Sequence, residues 1–187
     1  MKSLVVLLLI SFTLPSYAYT CSSSSSVYNE AKKKIETENA TQPNTAIIGA
    51  YNISSRKVKF KEATKPNTAI VAVYNKDQKK VEFIEALNPN TDIVAIYNPV
   101  YHKTMFKEAL KPFTAIAAVY NETYGKVEFK EASKPNIAIA GAFNKLYGKV
   151  EFFEASKPNM SIIAIYNELN GKIQFKELAG DTTYSCF

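Results

Sequence analysis

The sequence predicts an all-β fold of tandem 23-residue hairpins, and three observations predict it. A frame P-N-T-A-I-x-small-x-Y-N-x-x-x-G-K-V-x-F-x-E-A-x-K returns without insertion from Pro43, Pro66, Pro89, Pro112, Pro135 and Pro158. Within each copy a β-branched apolar run is followed by a segment that alternates polar and apolar with period two, and helical periodicity is missing. Between the two lies a turn opened by Asn in every copy: Asn29, Asn52, Asn75, Asn98, Asn121, Asn144 and Asn167. Hairpins joined in series define an antiparallel meander. The expected arrangement is closed, barrel- or ring-like, with an open hairpin array as the alternative.

Residues 1–18 read as a signal peptide. Lys2 supplies the positive start, Leu4–Leu14 the apolar run, and Ser16-Tyr17-Ala18 a small-x-small cleavage site. The run is too short to span a bilayer, and no later segment is long and apolar enough to do so. The expected product is a secreted, extracellular chain without a membrane span. Residues 19–187 then form one repeat domain.

That domain begins with a copy that the register uncovers. Tyr28-Asn29 falls where Tyr51-Asn52 falls in the next copy, and Lys34-Ile35 matches Lys57-Val58. Residues 20–42 are therefore a degenerate copy whose first half has become a serine run. Atypical ends suit a stacked array, because a terminal unit has no neighbour to bury its apolar face. Six clear copies run from 43 to 180, and 181–187 starts a further one and stops.

Inside a copy the first strand is represented by Thr68–Tyr74 and the second by Lys126–Glu131. Asn can bond its own backbone and tolerates positive φ, while Gly125, Gly148 and Gly171 supply positive φ at three turns without steric cost. Proline ends the strand at each link, since it cannot donate to a ladder. Setting Asn121 opposite Lys126 places Tyr120 opposite Val127, Ala118 opposite Phe129 and Ile116 opposite Glu131. A small residue faces the phenylalanine in six copies, from Gly49 with Phe60 to Ala164 with Phe175. Repeated Ile, Tyr or Phe, Val and Phe on that side predict the core.

Closure rests on Cys21 and Cys186, which mark the two ends of the array. In a ring they could bond within one chain, closing a very long loop worth about 5 kcal/mol and removing exposed sheet edges. In an open meander they could only link chains.

Candidate chemistry is sparse. His102 is the only histidine and occupies the turn slot that Gly holds in later copies, without partners at ligand spacing. Glu62, Glu85, Glu108, Glu131, Glu154 and Glu177 recur near the end of the second strand, where ion pairs with Lys65, Lys111, Lys134 and Lys157 outweigh a cation-binding ring. No catalytic constellation, metal site or cofactor motif emerges, so a non-enzymatic protein is expected. The chain carries +6, and its charges alternate along the sequence, which argues against nucleic acid as a partner. Sequons at Asn39, Asn52, Asn121 and Asn159 are candidate glycosylation sites. Tyr101, Tyr124 and Tyr147, at the turns of consecutive copies, are the candidate binding residues.

These features favour a secreted repeat protein for multivalent, lectin-like or surface recognition, with an extracellular glycan or protein surface as ligand and self-association open to it. The alternative is a structural matrix or coat protein cross-linked through its terminal cysteines. A repeated-peptide precursor is disfavoured, because dibasic pairs such as Lys79-Lys80 lie inside hairpins rather than at copy boundaries.

Overall fold

The computed structural model describes residues 23–167 and 170–179. The proposed signal peptide, both cysteines and the partial terminal copy lie outside the described residues. The described chain is fourteen β-strands and no helix, paired as seven antiparallel hairpins. They are β1 (Ser24–Asn29) with β2 (Lys34–Asn39), β3 (Ile47–Asn52) with β4 (Lys57–Glu62), and β5 (Ile70–Asn75) with β6 (Lys80–Glu85). There follow β7 (Ile93–Asn98) with β8 (Lys103–Glu108), β9 (Ile116–Asn121) with β10 (Lys126–Glu131), β11 (Ile139–Asn144) with β12 (Lys149–Glu154), and β13 (Met160–Asn167) with β14 (Lys172–Ala179).

The register is the one the turn demands. Tyr120 faces Val127, Ala118 faces Phe129 and Ile116 faces Glu131, and the same pairs return in the other hairpins. Each ribbon therefore has two faces. The rear face carries Ile116, Ala118, Tyr120, Val127, Phe129 and Glu131, and the forward face Ala117, Val119, Lys126, Glu128 and Lys130.

Hairpins meet through these faces and not through their edges. A Cβ added to Gly49 would lie 2.6 Å from Val27 Cγ2 of the hairpin before it, and one on Gly141 would lie 2.6 Å from Val119 Cγ2. Phe153, on the forward face of β12, stacks at 5.4 Å on Phe175, on the rear face of β14. The forward face of one hairpin thus covers the rear face of the next. Consecutive hairpins meet chiefly along their first strands, β1 on β3 and so on to β11 on β13.

Two sequence expectations change here. The strands do not form a continuous meander, because every sheet has two strands only, and no closed sheet or barrel forms among the described residues. Edge-to-edge ladders would be needed for either, and face-to-face stacking leaves none. The core also differs. Its buried apolar members are small or aliphatic, among them Ile70, Ile93, Ile116 and Ile162 in the first strands, Val81 in a second strand, Ile137 in a link, and Ala63, Ala86, Ala109, Ala132 and Ala155 after the glutamates. The second strands flank the column of first strands, and their rear-face phenylalanines are partly buried, except Phe106, which is 57% exposed.

Backbone bonds tie the links between hairpins. Asn67 N–H donates to Asn44 O, Asn90 to Asn67, Phe113 to Asn90, Asn136 to Phe113 and Asn159 to Asn136, at 2.7–3.3 Å. This ladder runs along the stack with one rung per 23 residues. It explains a left-handed residue in each link, at φ from 56° to 60°: asparagine at Asn44, Asn67, Asn90, Asn136 and Asn159, and a phenylalanine at Phe113. A second left-handed slot closes each hairpin turn, held by Lys33, Arg56, Lys79 and His102 before Gly125, Gly148 and Gly171 take it over.

The first hairpin is a polar end. Where later copies set Ala or Gly against Phe on the rear face, it sets Ser26 against Thr37, joined by a 2.8 Å hydrogen bond. Among the described residues no hairpin precedes that face.

Candidate functional site

The site is built at the hairpin turns, and the turn asparagines build it. Asn29, Asn52, Asn75, Asn98, Asn121 and Asn144 are at most 2% exposed. Their role is hydrogen bonding rather than positive φ. Asn98 Oδ1 accepts the N–H groups of Val100 and Tyr101 at 2.9 and 3.1 Å, Asn121 those of Thr123 and Tyr124, and Asn144 those of Leu146 and Tyr147.

The amide nitrogen is satisfied in one of two ways. Where the residue seven positions on is Glu, it donates there: Asn29 to Glu36, Asn75 to Glu82, Asn121 to Glu128 and Asn144 to Glu151, at 2.7–3.1 Å. Where that residue is Lys59 or Met105, the amide reaches the next turn instead. Asn52 donates to Lys79 O and Asn98 to Gly125 O. A buried amide without a partner would cost about 1–3 kcal/mol, so the alternative acceptor is obligatory.

This scaffold sets Tyr101, Tyr124 and Tyr147 on three consecutive turns, 58–67% exposed. Each ring has a lysine two residues on: Lys103, Lys126 and Lys149, with Nζ 5.9, 5.3 and 5.5 Å from the ring centroid. That distance is within cation–π range. Neighbouring turns touch. The space beside Gly125 is filled by Val100, that beside Gly148 by Thr123 and that beside Gly171 by Leu146. Tyr74 Oη bonds Ser54 at 2.7 Å across the second and third turns, and Tyr97 donates to Asp77 across the third and fourth. The turns form one continuous edge, and the three tyrosines stand in a row on it.

His102 joins this edge as an exposed turn residue. Its Nδ1 lies 3.0 Å from Asp77 Oδ2. The Tyr97 hydroxyl, followed by His102, holds the Asp77 carboxyl below its usual range, and the same contact pushes Tyr97 up to about 12.

The glutamates lie at the opposite edge. Glu62 accepts from Thr45 Oγ1, from the N–H and hydroxyl of Thr41 at 2.9 and 2.7 Å, and from Gln42 N–H at 2.9 Å. Those bonds lower its pKa to about 2. Glu85, Glu108, Glu131, Glu154 and Glu177 take link N–H groups in the same way. Lys65 and Lys111 contribute a backbone N–H to Glu85 and Glu131, and the ion pair seen at this edge is Lys130 with Glu154 of the next hairpin at 3.8 Å. The row of carboxylates is a set of turn clasps.

Of the four sequon asparagines, Asn52 and Asn121 are buried with their amides in hydrogen bonds, whereas Asn39 and Asn159 are exposed. Backbone bonding by the turn Asn was expected from the sequence, but the pairing of its amide with the glutamate seven residues on was hidden from sequence reasoning, as was the buried Asp92. Its Oδ1 accepts Ile93 N–H at 3.1 Å and its Oδ2 accepts Ile116 N–H of the next hairpin at 3.4 Å. Its one sequence signal is a charged residue in a slot where Ala69, Ala115 and Ala138 stand.

No family model matches this chain, and no curated protein or solved structure matches it either.

Proposed function

We propose that the chain is a secreted, non-enzymatic repeat protein that recognises an extracellular ligand multivalently through the edge bearing Tyr101, Tyr124 and Tyr147. The observation that supports this is the row itself: three exposed rings on touching turns, each backbone-anchored by a buried Asn and each attended by a lysine. Rings held this way lose little conformational freedom on binding. Several weak, equivalent subsites on one polymer or surface gain from effective concentration.

The test replaces all three tyrosines by alanine. The side chains are exposed, so circular dichroism and melting temperature should stay unchanged, while retention on a glycan array falls. Full retention by the triple variant overturns the proposal.

A second reading, a structural protein of a matrix or coat, is favoured by the ends of the stack. Tyr28 and Ile35 on the rear face of the first hairpin are 51% and 67% exposed, and Ile165 on the forward face of the last is 46% exposed. These are the faces that interior hairpins bury, so copies could stack end to end. Cys21 and Cys186 separate the possibilities. A non-reducing gel showing a compact monomer supports an internal bond and ring closure, and a disulfide-linked ladder supports the structural reading.

A further inference from the structure

The fold gathers the positive charge of the chain onto the turn edge. In the sequence, the seven five-residue turn segments 30–34, 53–57, 76–80, 99–103, 122–126, 145–149 and 168–172 hold thirteen of the 23 Lys and Arg and four of the 17 Asp and Glu, a net +9. The remaining ten basic and thirteen acidic residues leave everything else at −3, against +6 for the whole chain. Along the sequence this looks like alternation, because each turn is followed by a strand and a link that carry the acids. The stack keeps four of those acids at the turns, Glu36, Glu82, Glu128 and Glu151, which lie 2.9–3.8 Å from Lys32, Lys80, Lys126 and Lys149 and reduce the turn charge from +9 to +5, and it carries the rest away to the strands and links.

The lysine that opens each second strand, Lys57, Lys80, Lys103, Lys126 and Lys149 among them, is exposed. Contacts from Asn52 to Lys79, Tyr97 to Asp77, Asn98 to Gly125, and Gly148 to Thr123 hold successive turns side by side. One cation per hairpin therefore recurs along a run of touching turns. The first three turns are dibasic, at Lys33-Lys34, Arg56-Lys57 and Lys79-Lys80; in the later ones His102 or a glycine takes the place of the first base, and Tyr101, Tyr124 and Tyr147 stand one position before it in the fourth to sixth turns.

We infer that the ligand of this edge is a linear acidic polysaccharide, bearing carboxylate or sulfate groups, laid along the row of turns. This rests on the recognition reading above and specifies its ligand. Spaced point charges suit anionic groups spaced along a polymer, and the ring faces suit the apolar side of a sugar. Nucleic acid fits less well. Arg56 is the sole arginine, so the planar fork that phosphate recognition favours is nearly missing, and the exposed rings already carry a lysine at stacking distance.

The experiment measures binding of the full mature chain to heparin, alginate, neutral dextran and an oligo(dT) strand. Heparin and alginate should bind and dextran should not, with affinity falling at least about tenfold as NaCl rises from about 0.05 to about 0.5 M. Two charge-matched variants decide the location. Lys57→Gln with Lys80→Gln, Lys103→Gln and Lys126→Gln should weaken binding by at least about tenfold. Lys65→Gln with Lys111→Gln, Lys134→Gln and Lys157→Gln, at the opposite edge, should leave it nearly unchanged. Equal losses in both variants, or oligo(dT) binding as tightly as the polysaccharides, would overturn the inference. Tyrosine-dependent binding of a neutral glycan only would overturn it while leaving the recognition reading standing, and no tyrosine-dependent binding to any glycan would remove both.

Discussion

At the scale of single residues, the recurrent polar side chains act as fasteners. Glu62 is the clearest. It accepts two backbone N–H groups and two hydroxyls from the link that enters its own hairpin, and its pKa falls from 4.5 to about 2. The sign follows from linkage. A carboxylate with a depressed folded pKa contributes stability fully above its unfolded value, and that contribution disappears as pH falls through the folded value. Glu108, Glu154 and Glu177 are lowered as well: burial opposes the shift at Glu108 and Glu154 but hydroxyl and N–H donors outweigh it, and at Glu177 the Ser156 hydroxyl leads. The melting temperature should therefore be flat above about pH 5 and drop between about pH 4.5 and pH 2. Glu62→Gln should lower stability at neutral pH and shrink the difference between pH 7 and pH 3. An unchanged pH difference would show that the clasp carries no linkage. The glutamates' recurrence was legible in the sequence. Their partners were not, because N–H donors belong to the backbone and have no letter of their own.

At the scale of the hairpin, local pattern determined nearly everything. Alternation, the Asn that opens the turn and the Lys that follows it were enough to set the register, and the observed pairs of Ala118 with Phe129 and Tyr120 with Val127 are those the pattern predicts. What covers each face was not legible. The small residue opposite phenylalanine reads as room for the ring across the strand, yet at Gly141 a Cβ would also meet Val119 of the preceding hairpin at 2.6 Å, with Phe152 at 2.8 Å. The residue is small because two hairpins close on it. Gly141→Val should therefore destabilise by about 1–3 kcal/mol through overpacking, read as a lower denaturant midpoint. A neutral result would mean that the seam between β9 and β11 opens without cost.

At the scale of the whole molecule, each hairpin touches chiefly its sequence neighbours, so the array behaves as a one-dimensional series of units and seams. Removing one complete copy, residues 112–134, leaves a forward face and a rear face of the same design to meet. The shortened chain should keep its β circular dichroism and its turn-edge row, with lower stability; a chain that fails to fold would contradict the series description. The same logic governs closure. A barrel needs strand edges that find each other, whereas among the described residues the contacts between hairpins are chiefly between ribbon faces.

The sequence by itself determined the repeat, the two strands of each unit, their register, the positive-φ turns closed by Gly125, Gly148 and Gly171, and a degenerate first copy. Those properties are local, set by side-chain alternation and backbone geometry over a few residues. Only the tertiary structure decided how hairpin follows hairpin, since face-to-face and edge-to-edge joining use the same alternating pattern. That choice buried the turn asparagines, left the rear-face phenylalanines of the second strands partly buried with Phe106 exposed, turned the glutamates into clasps for the links, and set the turn lysines in a row on one edge.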